Sequence, residues 1–222
     1  MIAAKLHCDH AQTTRQLCDV QLEVICAMHR HVPVAALQRV ATTLLGWLGW
    51  TAILEIAPNK KFVAVGYPHT SNHDFLPVIL WAWATGSKMN WVGKRELFTG
   101  LLEPLMLRLG GIPLDRRGSS NFVDAVAAMI REREEITLII AAEGTRSRAE
   151  FWRSGFYYMA LKADVPIGLG FVDWKKKQVG IGAYIHPTGD LEADFALLRD
   201  FYADKFGRDP SKQSPIALKP SS

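Results

Sequence analysis

The chain has 222 residues, 49% of them apolar, a length that suits one domain able to bury its own core. Its formal net charge of +4 is compatible with an anionic membrane, an anionic substrate or nucleic acid, and selects none of them. The three cysteines, Cys8, Cys18 and Cys26, all lie near the N-terminus, so no disulfide framework can be inferred and a reducing, cytosolic setting is expected.

Residues 1–33 form an N-terminal segment without a predicted role. The segment lacks the continuous apolar stretch of a secretory signal. Its cysteines lie near four histidines, but the segment has no C-x-x-C pair and its spacings match no structural zinc pattern, so no metal site is predicted.

Residues 34–57 are predicted to form an amphipathic helical region. The apolar run from 40 to 54 is shorter than the roughly 20 residues that span a bilayer. Trp47 and Trp50 within it favour a helix lying in the headgroup zone of a membrane. A buried core helix is the alternative, because periodicity does not separate the two.

From residue 58 to 210, short apolar runs alternate with segments of helical period. The predicted strands are 62–67, 89–94, 112–115, 136–142, 165–172 and 179–185. The predicted helices are 75–84, 96–109, 121–134, 156–163 and 191–206. This alternation predicts a single α/β domain in which helices cover both faces of a mixed, mostly parallel twisted sheet. The short turn between the last two strands predicts one antiparallel pair, and residues 211–222 are predicted to be a C-terminal tail.

Three polar loops follow apolar strands directly: HTSNHD (69–74), DRRGSSN (115–121) and EGTRSR (143–148). Loops at the carboxyl ends of parallel strands meet at one edge of a sheet, where α/β proteins bind their ligands. Each loop also has a simpler explanation, since Asp74 could cap the next helix, the arginines could be solvated and Glu143 could begin a turn. Together, however, a histidine base, an acidic partner and arginine anion binders predict a functional site.

The order of these loops resembles the sequence blocks of the glycerolipid acyltransferases, the family of 1-acylglycerol-3-phosphate acyltransferases. The H-x-x-x-x-D block is His69 to Asp74, and the block of a glycine, apolar residues and an arginine is Gly111 to Arg116. The E-G-T-R-S block is Glu143 to Ser147, and the V-P-I strand is Val165 to Ile167. Ala141 and Ala142 stand where this family usually has Phe-Pro, a departure that leaves the polar groups intact.

The resemblance implies that a fatty acyl group passes from an acyl-CoA or acyl-carrier-protein thioester to the hydroxyl of a lysophospholipid such as 1-acyl-glycerol-3-phosphate. It implies His69 as general base and Asp74 as its orienting partner. A neutral imidazole suits deprotonation of an alcohol, and a thiol leaving group needs no strong acid. The implied substrate-binding residues are Arg116 and Arg146 for the acceptor phosphate, Glu143, Gly144 and Thr145 for the pocket, and Asn72 and Ser147 as further candidates.

No cofactor, metal or nucleic acid is expected, and the expected partners are a membrane surface, the lipid acceptor and the thioester donor. The expected location is the cytoplasmic face of a membrane, with a peripheral or monotopic attachment. Two alternatives remain open: a thioesterase or phosphoesterase using the same His-Asp pair, and a non-catalytic membrane-binding module. A metal phosphohydrolase with His73 and Asp74 as ligands is disfavoured, because His186 is the only later histidine.

Overall fold

The computed structural model describes residues 34–100, 103–114 and 122–219, and in these ranges seven strands and six α-helices form one α/β unit. The strands are β1 (Thr51–Leu54), β2 (Lys61–Tyr67), β3 (Asn90–Lys94), β4 (Gly111–Leu114), β5 (Ile136–Ala141), β6 (Ile167–Asp173) and β7 (Gln178–Ile185). The helices are α1 (Val34–Trp47), α2 (Phe75–Thr85), α3 (Glu103–Arg108), α4 (Phe122–Glu132), α5 (Gly155–Ala163) and α6 (Leu191–Tyr202).

All seven strands belong to one sheet with the order β1-β7-β6-β2-β5-β3-β4. Every neighbouring pair is parallel except β6 and β7, which form an antiparallel hairpin. The prediction of a mixed, mostly parallel sheet with one antiparallel pair is therefore confirmed.

Helices cover both faces of the sheet, as predicted. Successive side chains of a strand point to opposite faces, and β2 shows this alternation clearly. Val63 and Val65 pack in a core cluster with buried residues of α4, α5 and α6. Phe62 and Ala64 pack in a second cluster with buried residues of α1 and α2. Apolar side chains on both faces explain why these strands appear as continuous hydrophobic runs in the sequence.

Two predicted helices are replaced in part by other elements in the structure. The N-terminal helix ends at Trp47, the chain turns through Gly49 with φ of 73°, and residues 51–54 form β1 rather than more helix. This edge strand pairs with β7, a contact distant in sequence that local pattern does not reveal. The predicted helix 96–109 is replaced by a 3-10 turn (Arg95–Leu97) and by α3, with Pro104 in the first turn of α3, where its missing N–H is tolerated.

Several predictions fall on residues outside the described ranges. They concern the N-terminal segment 1–33 with its cysteines, and loop 115–121 with Arg116. Within the described ranges, no helix has the length and apolar character needed to cross a membrane.

Candidate active site

The candidate site lies at the edge of the sheet where β5, β2 and β6 end. These strands are adjacent and parallel, and Gly66 near the end of β2 is opposite Ala141 of β5 and Gly170 of β6. The loop after β2 carries His69, and the loop after β5 carries Glu143. The register of the sheet therefore brings together two of the loops that the sequence singled out.

His69 and Asp74 form a close pair in the loop after β2. The distance from Nδ1 of His69 to Oδ2 of Asp74 is 3.3 Å, and their side chains are 33% and 4% exposed. A neutral imidazole that donates from Nδ1 keeps a free lone pair on Nε2, which can accept a proton. The pair thus combines a partly accessible imidazole with a buried carboxylate.

The buried carboxylate of Asp74 also shapes its own loop. Its Oδ2 accepts the backbone N–H groups of Thr70 and Ser71, each at 3.0 Å. Asp74 makes no side-chain capping bond to α2 itself. Its bond to Ser71 is part of a capping box on the 3-10 turn Asn72–Asp74, which leads directly into α2, so capping accounts for part of its hydrogen bonding. The loop also folds around the carboxylate, which holds Asp74 beside His69.

The second oxygen of Asp74 has a partner that the sequence did not reveal. Trp174, directly after β6, donates its indole N–H to Oδ1 at 2.7 Å. Trp174 lies in none of the four sequence blocks, and its proximity to Asp74 depends on β2 and β6 being neighbours. No local signal in the sequence could have found it.

The neighbouring polar residues of the loop lie outside this pair. His73 is exposed, and its Nδ1 is 3.0 Å from the hydroxyl of Ser71. Asn72, a sequence candidate for substrate binding, is also exposed. Of the two histidines, His69 is the one whose ring lies beside the carboxylate of Asp74.

Glu143 is buried and both of its carboxylate oxygens bind main chain. Oε2 accepts the N–H of His69 at 2.7 Å, and Oε1 accepts the N–H of Ser214 at 3.0 Å. Burial raises the pKa of Glu143, and the two backbone hydrogen bonds oppose that rise. The resemblance implied a role in the substrate pocket, and these contacts give Glu143 a role in holding the backbone of His69.

The rest of the EGTRSR loop is exposed to solvent. Gly144 adopts φ of 64°, and a side chain at this position would meet the guanidinium of Arg153. Thr145 accepts the N–H of Ser147 with its hydroxyl at 3.2 Å. Arg146 makes no hydrogen bond or ion pair within the described part of the chain. Its charge is therefore available to an anionic ligand.

A further contribution to the site comes from the C-terminal segment, defined here as residues 203–219. Asp209 donates its N–H to the hydroxyl of Thr70 at 3.2 Å, and Arg148 donates to the carbonyl of Gln213 at 2.9 Å. Ser214 is buried, and its carbonyl accepts the hydroxyl of Tyr67 at 2.7 Å. The sequence predicted a tail from residue 211. In the structure this stretch bonds the loop after β5 and Tyr67 at the end of β2, and Ile216 and Leu218 pack against the hydrophobic core.

Comparison with known proteins identifies the family. Residues 51–168, more than half of the chain, match the sequence model of the family described as Acyltransferase. The chain belongs to the acyltransferase family. This match confirms the resemblance that the order of the sequence blocks indicated.

A solved structure is also similar to this acyltransferase. It is the crystal structure of the 1-acyl-sn-glycerophosphate (LPA) acyltransferase PlsC from Thermotoga maritima, at 18% sequence identity and a TM-score of 0.47. The similarity covers 77% of this chain and 75% of that one. No curated protein matches the acyltransferase in sequence.

Across residues 34–100, 103–114 and 122–219 of the acyltransferase, no three His, Cys, Asp or Glu side chains come together as a metal-binding group. The groups that the structure brings together are the imidazole of His69 and the buried carboxylates of Asp74 and Glu143, and the exposed Arg146 lies in the same loop as Glu143.

Proposed function

We propose that the protein transfers a fatty acyl group from an acyl-CoA or acyl-carrier-protein thioester to the hydroxyl of a lysophospholipid such as 1-acyl-glycerol-3-phosphate. The observation that carries this proposal is the His69–Asp74 pair, 3.3 Å between Nδ1 and Oδ2, in a chain of the acyltransferase family. The acyl donor is a co-substrate, and the proposed reaction uses no cofactor or metal.

In the proposed mechanism His69 is the general base. Its Nε2 takes the proton of the acceptor hydroxyl while the hydroxyl oxygen attacks the thioester carbonyl carbon. Asp74 stabilises the imidazolium that forms. The tetrahedral intermediate then collapses, the carbon–sulfur bond breaks, and the departing sulfur receives the proton from the imidazolium. The ester product and the free thiol leave, and His69 is neutral again.

The acceptor phosphate is assigned to arginines. Arg146 is exposed and without a partner in the described residues, and it lies three positions after Glu143, which is bonded to the backbone of His69. A guanidinium binds phosphate through two parallel hydrogen bonds. Arg116 is proposed to share this role on the strength of the sequence block alone, with Thr145, Gly144, Ser147 and Asn72 lining the acceptor site.

An exposed apolar surface at the same edge of the sheet supports the proposal that the protein acts at a membrane. It consists of Trp47, 83% exposed at the end of α1, with Leu48, Phe75 and Leu76. Trp47 lies at this edge because Thr51, shortly after it, pairs with Gln178, which directly follows the turn of residues 174–177 between β6 and β7. Phe75 and Leu76 begin α2 directly after Asp74. We propose that this surface attaches the protein, as a peripheral or monotopic enzyme, to the cytoplasmic face of a membrane.

The test is an assay of purified protein with a labelled acyl-CoA, with and without lysophosphatidic acid. We expect acyl-CoA consumption to require the acceptor. His69→Ala should lower the rate by roughly 10²–10⁴-fold, the usual contribution of a general base, whereas His73→Ala serves as the matched control and should stay near wild type. Consumption that is independent of the acceptor would favour a thioesterase, and full activity of His69→Ala would refute the assignment of the base.

A further inference from the structure

We propose that Trp174 is a positioning residue of the active site, whose indole N–H fixes the Asp74 carboxylate in the orientation that serves His69. The inference rests on the proposed function, because it assigns a role in the reaction of the His69–Asp74 pair. Trp174 lies beyond residue 168, where the match to the family model ends. The assignment therefore concerns a residue outside the part of the chain that matches the family model.

The two oxygens of Asp74 have different partners. Oδ2 lies near the N–H groups of Thr70 and Ser71 and near Nδ1 of His69, whereas among the described residues Trp174 is the donor to Oδ1. A buried carboxylate oxygen without a donor is unfavourable, so removal of the indole N–H would favour rotation of the carboxylate toward another donor. Any such rotation also moves Oδ2 away from His69. The indole thus controls the geometry of the His69–Asp74 pair through Oδ1, the carboxylate oxygen that does not face His69.

The indole is itself held in place. The Trp50 ring meets it edge to face, with centroids 5.0 Å apart, and the Lys177 ammonium is 4.8 Å from its centre. The Arg208 guanidinium is 5.1 Å from the same ring, and the backbone N–H of Trp174 bonds the carbonyl of Phe206 at 2.9 Å. The donor is therefore oriented before any substrate binds, which is the condition for stabilising charge without reorganisation.

The first arm of the test is a comparison of Trp174→Phe with Trp91→Phe. Phe keeps an aromatic ring but lacks the N–H. Trp91 donates its indole N–H to the carbonyl of Leu109 at 3.0 Å, near the start of β3 and far from the loops after β2 and β5. We expect Trp174→Phe to lower kcat roughly tenfold, the usual effect of losing a hydrogen bond to a charged group, with KM for both substrates unchanged. Trp91→Phe should keep kcat within about twofold of wild type.

The second arm does not depend on activity. In the full chain labelled with ¹⁵N-tryptophan, the indole N–H resonance of Trp174 is identified by its loss in Trp174→Phe. Asp74→Asn should move this resonance and leave that of Trp91 in place. If Trp174 is insensitive to Asp74→Asn, the contact is absent and the inference is overturned, even where Trp174→Phe folds poorly.

The two proposals fail in different ways. An active His69→Ala variant overturns the proposed base and the role of Trp174 with it. An inactive His69→Ala together with a normal kcat for Trp174→Phe overturns the role of Trp174 alone. A lowered kcat in Trp174→Phe, a normal kcat in Trp91→Phe and a shifted Trp174 resonance in Asp74→Asn support both.

Discussion

The carboxylate of Glu143 accepts the backbone N–H of His69 at 2.7 Å, so the loop after β5 holds the main chain of the loop after β2. Its other oxygen accepts the N–H of Ser214 in the C-terminal segment at 3.0 Å. One buried side chain thus joins three segments that are far apart in sequence. The backbone at His69 is fixed by this contact, and its side chain is oriented separately by Asp74.

Glu143→Gln is expected to lower activity and stability together. An amide has one accepting oxygen, so either the N–H of His69 or that of Ser214 would face an NH₂ group. Leaving one of these N–H groups without an acceptor should lower the free energy of unfolding by about 1–3 kcal/mol and reduce kcat. Glu150→Gln, on the exposed part of the same loop region, is the control. Equal kcat in both variants would contradict the role given to Glu143.

The stability of the protein should depend on pH through Glu143. Burial raises the pKa of Glu143 above its ordinary value of 4.5. At pH values between the unfolded and the folded pKa, the folded state therefore binds a proton more tightly than the unfolded state. The contribution of Glu143 to the free energy of unfolding should therefore fall as the pH rises from the unfolded value through the folded one, and be constant above it. The difference in free energy of unfolding between wild type and Glu143→Gln, measured by urea titration at a series of pH values, should show this slope. A difference that grows with pH in this window would have the wrong sign.

Ser214→Ala should destabilise the fold. The hydroxyl of Ser214 accepts the N–H of Ala149 at 2.9 Å, and the side chain is buried. Its loss should lower the free energy of unfolding by about 1–2 kcal/mol, as for other buried hydrogen bonds. Ser211→Ala, at an exposed position of the same C-terminal segment, should change it by less than about 0.5 kcal/mol. Chemical denaturation of both variants measures the difference, and equal values would show that residue 214 is not anchored as described.

Arg146→Ala should weaken acceptor binding more than it slows chemistry. Losing hydrogen bonds between a guanidinium and a phosphate should raise KM for lysophosphatidic acid roughly tenfold or more, with a smaller change in kcat and in KM for the thioester. Arg133→Ala removes the same charge from an exposed position just before β5, at the opposite edge of the sheet. A KM for the acceptor that matches wild type in Arg146→Ala would refute the phosphate assignment.

The double variant Trp47→Ser with Leu48→Ser should bind membranes less well than wild type. Both side chains belong to the exposed apolar surface at the site edge, and burial of such side chains in the headgroup region contributes to binding. Leu54→Ser with Ile56→Ser is the comparison, because these exposed residues lie at and just after the far end of β1, away from Trp47, and outside the exposed apolar surface. Sedimentation with vesicles of anionic phospholipid measures the bound fraction. Equal loss in both double variants would contradict attachment through the site edge.

Much of the fold could be predicted because its strands are locally distinctive. The strands β2, β5 and β6 are buried on both faces, so each appears as an apolar run that needs no knowledge of its neighbours. β1 was missed because it is a short edge strand whose apolar residues continue those of α1, and its assignment depends on pairing with β7. The predicted helix 96–109 is also wrong in length. Gly100 and Pro104 lie where only the shorter α3 forms, although periodicity alone indicated one continuous helix there.

The sequence by itself determined the family, the α/β class and the loop that carries His69 and Asp74, because those two residues are five positions apart and their meeting is a local event. Only the tertiary structure decided what surrounds them. Trp174 is 100 residues from Asp74, and Ser214 is 71 residues from Glu143. Such contacts arise from sheet order and from the path of the C-terminal segment, and a hydrogen bond between distant residues leaves no periodicity in the chain from which it could be inferred.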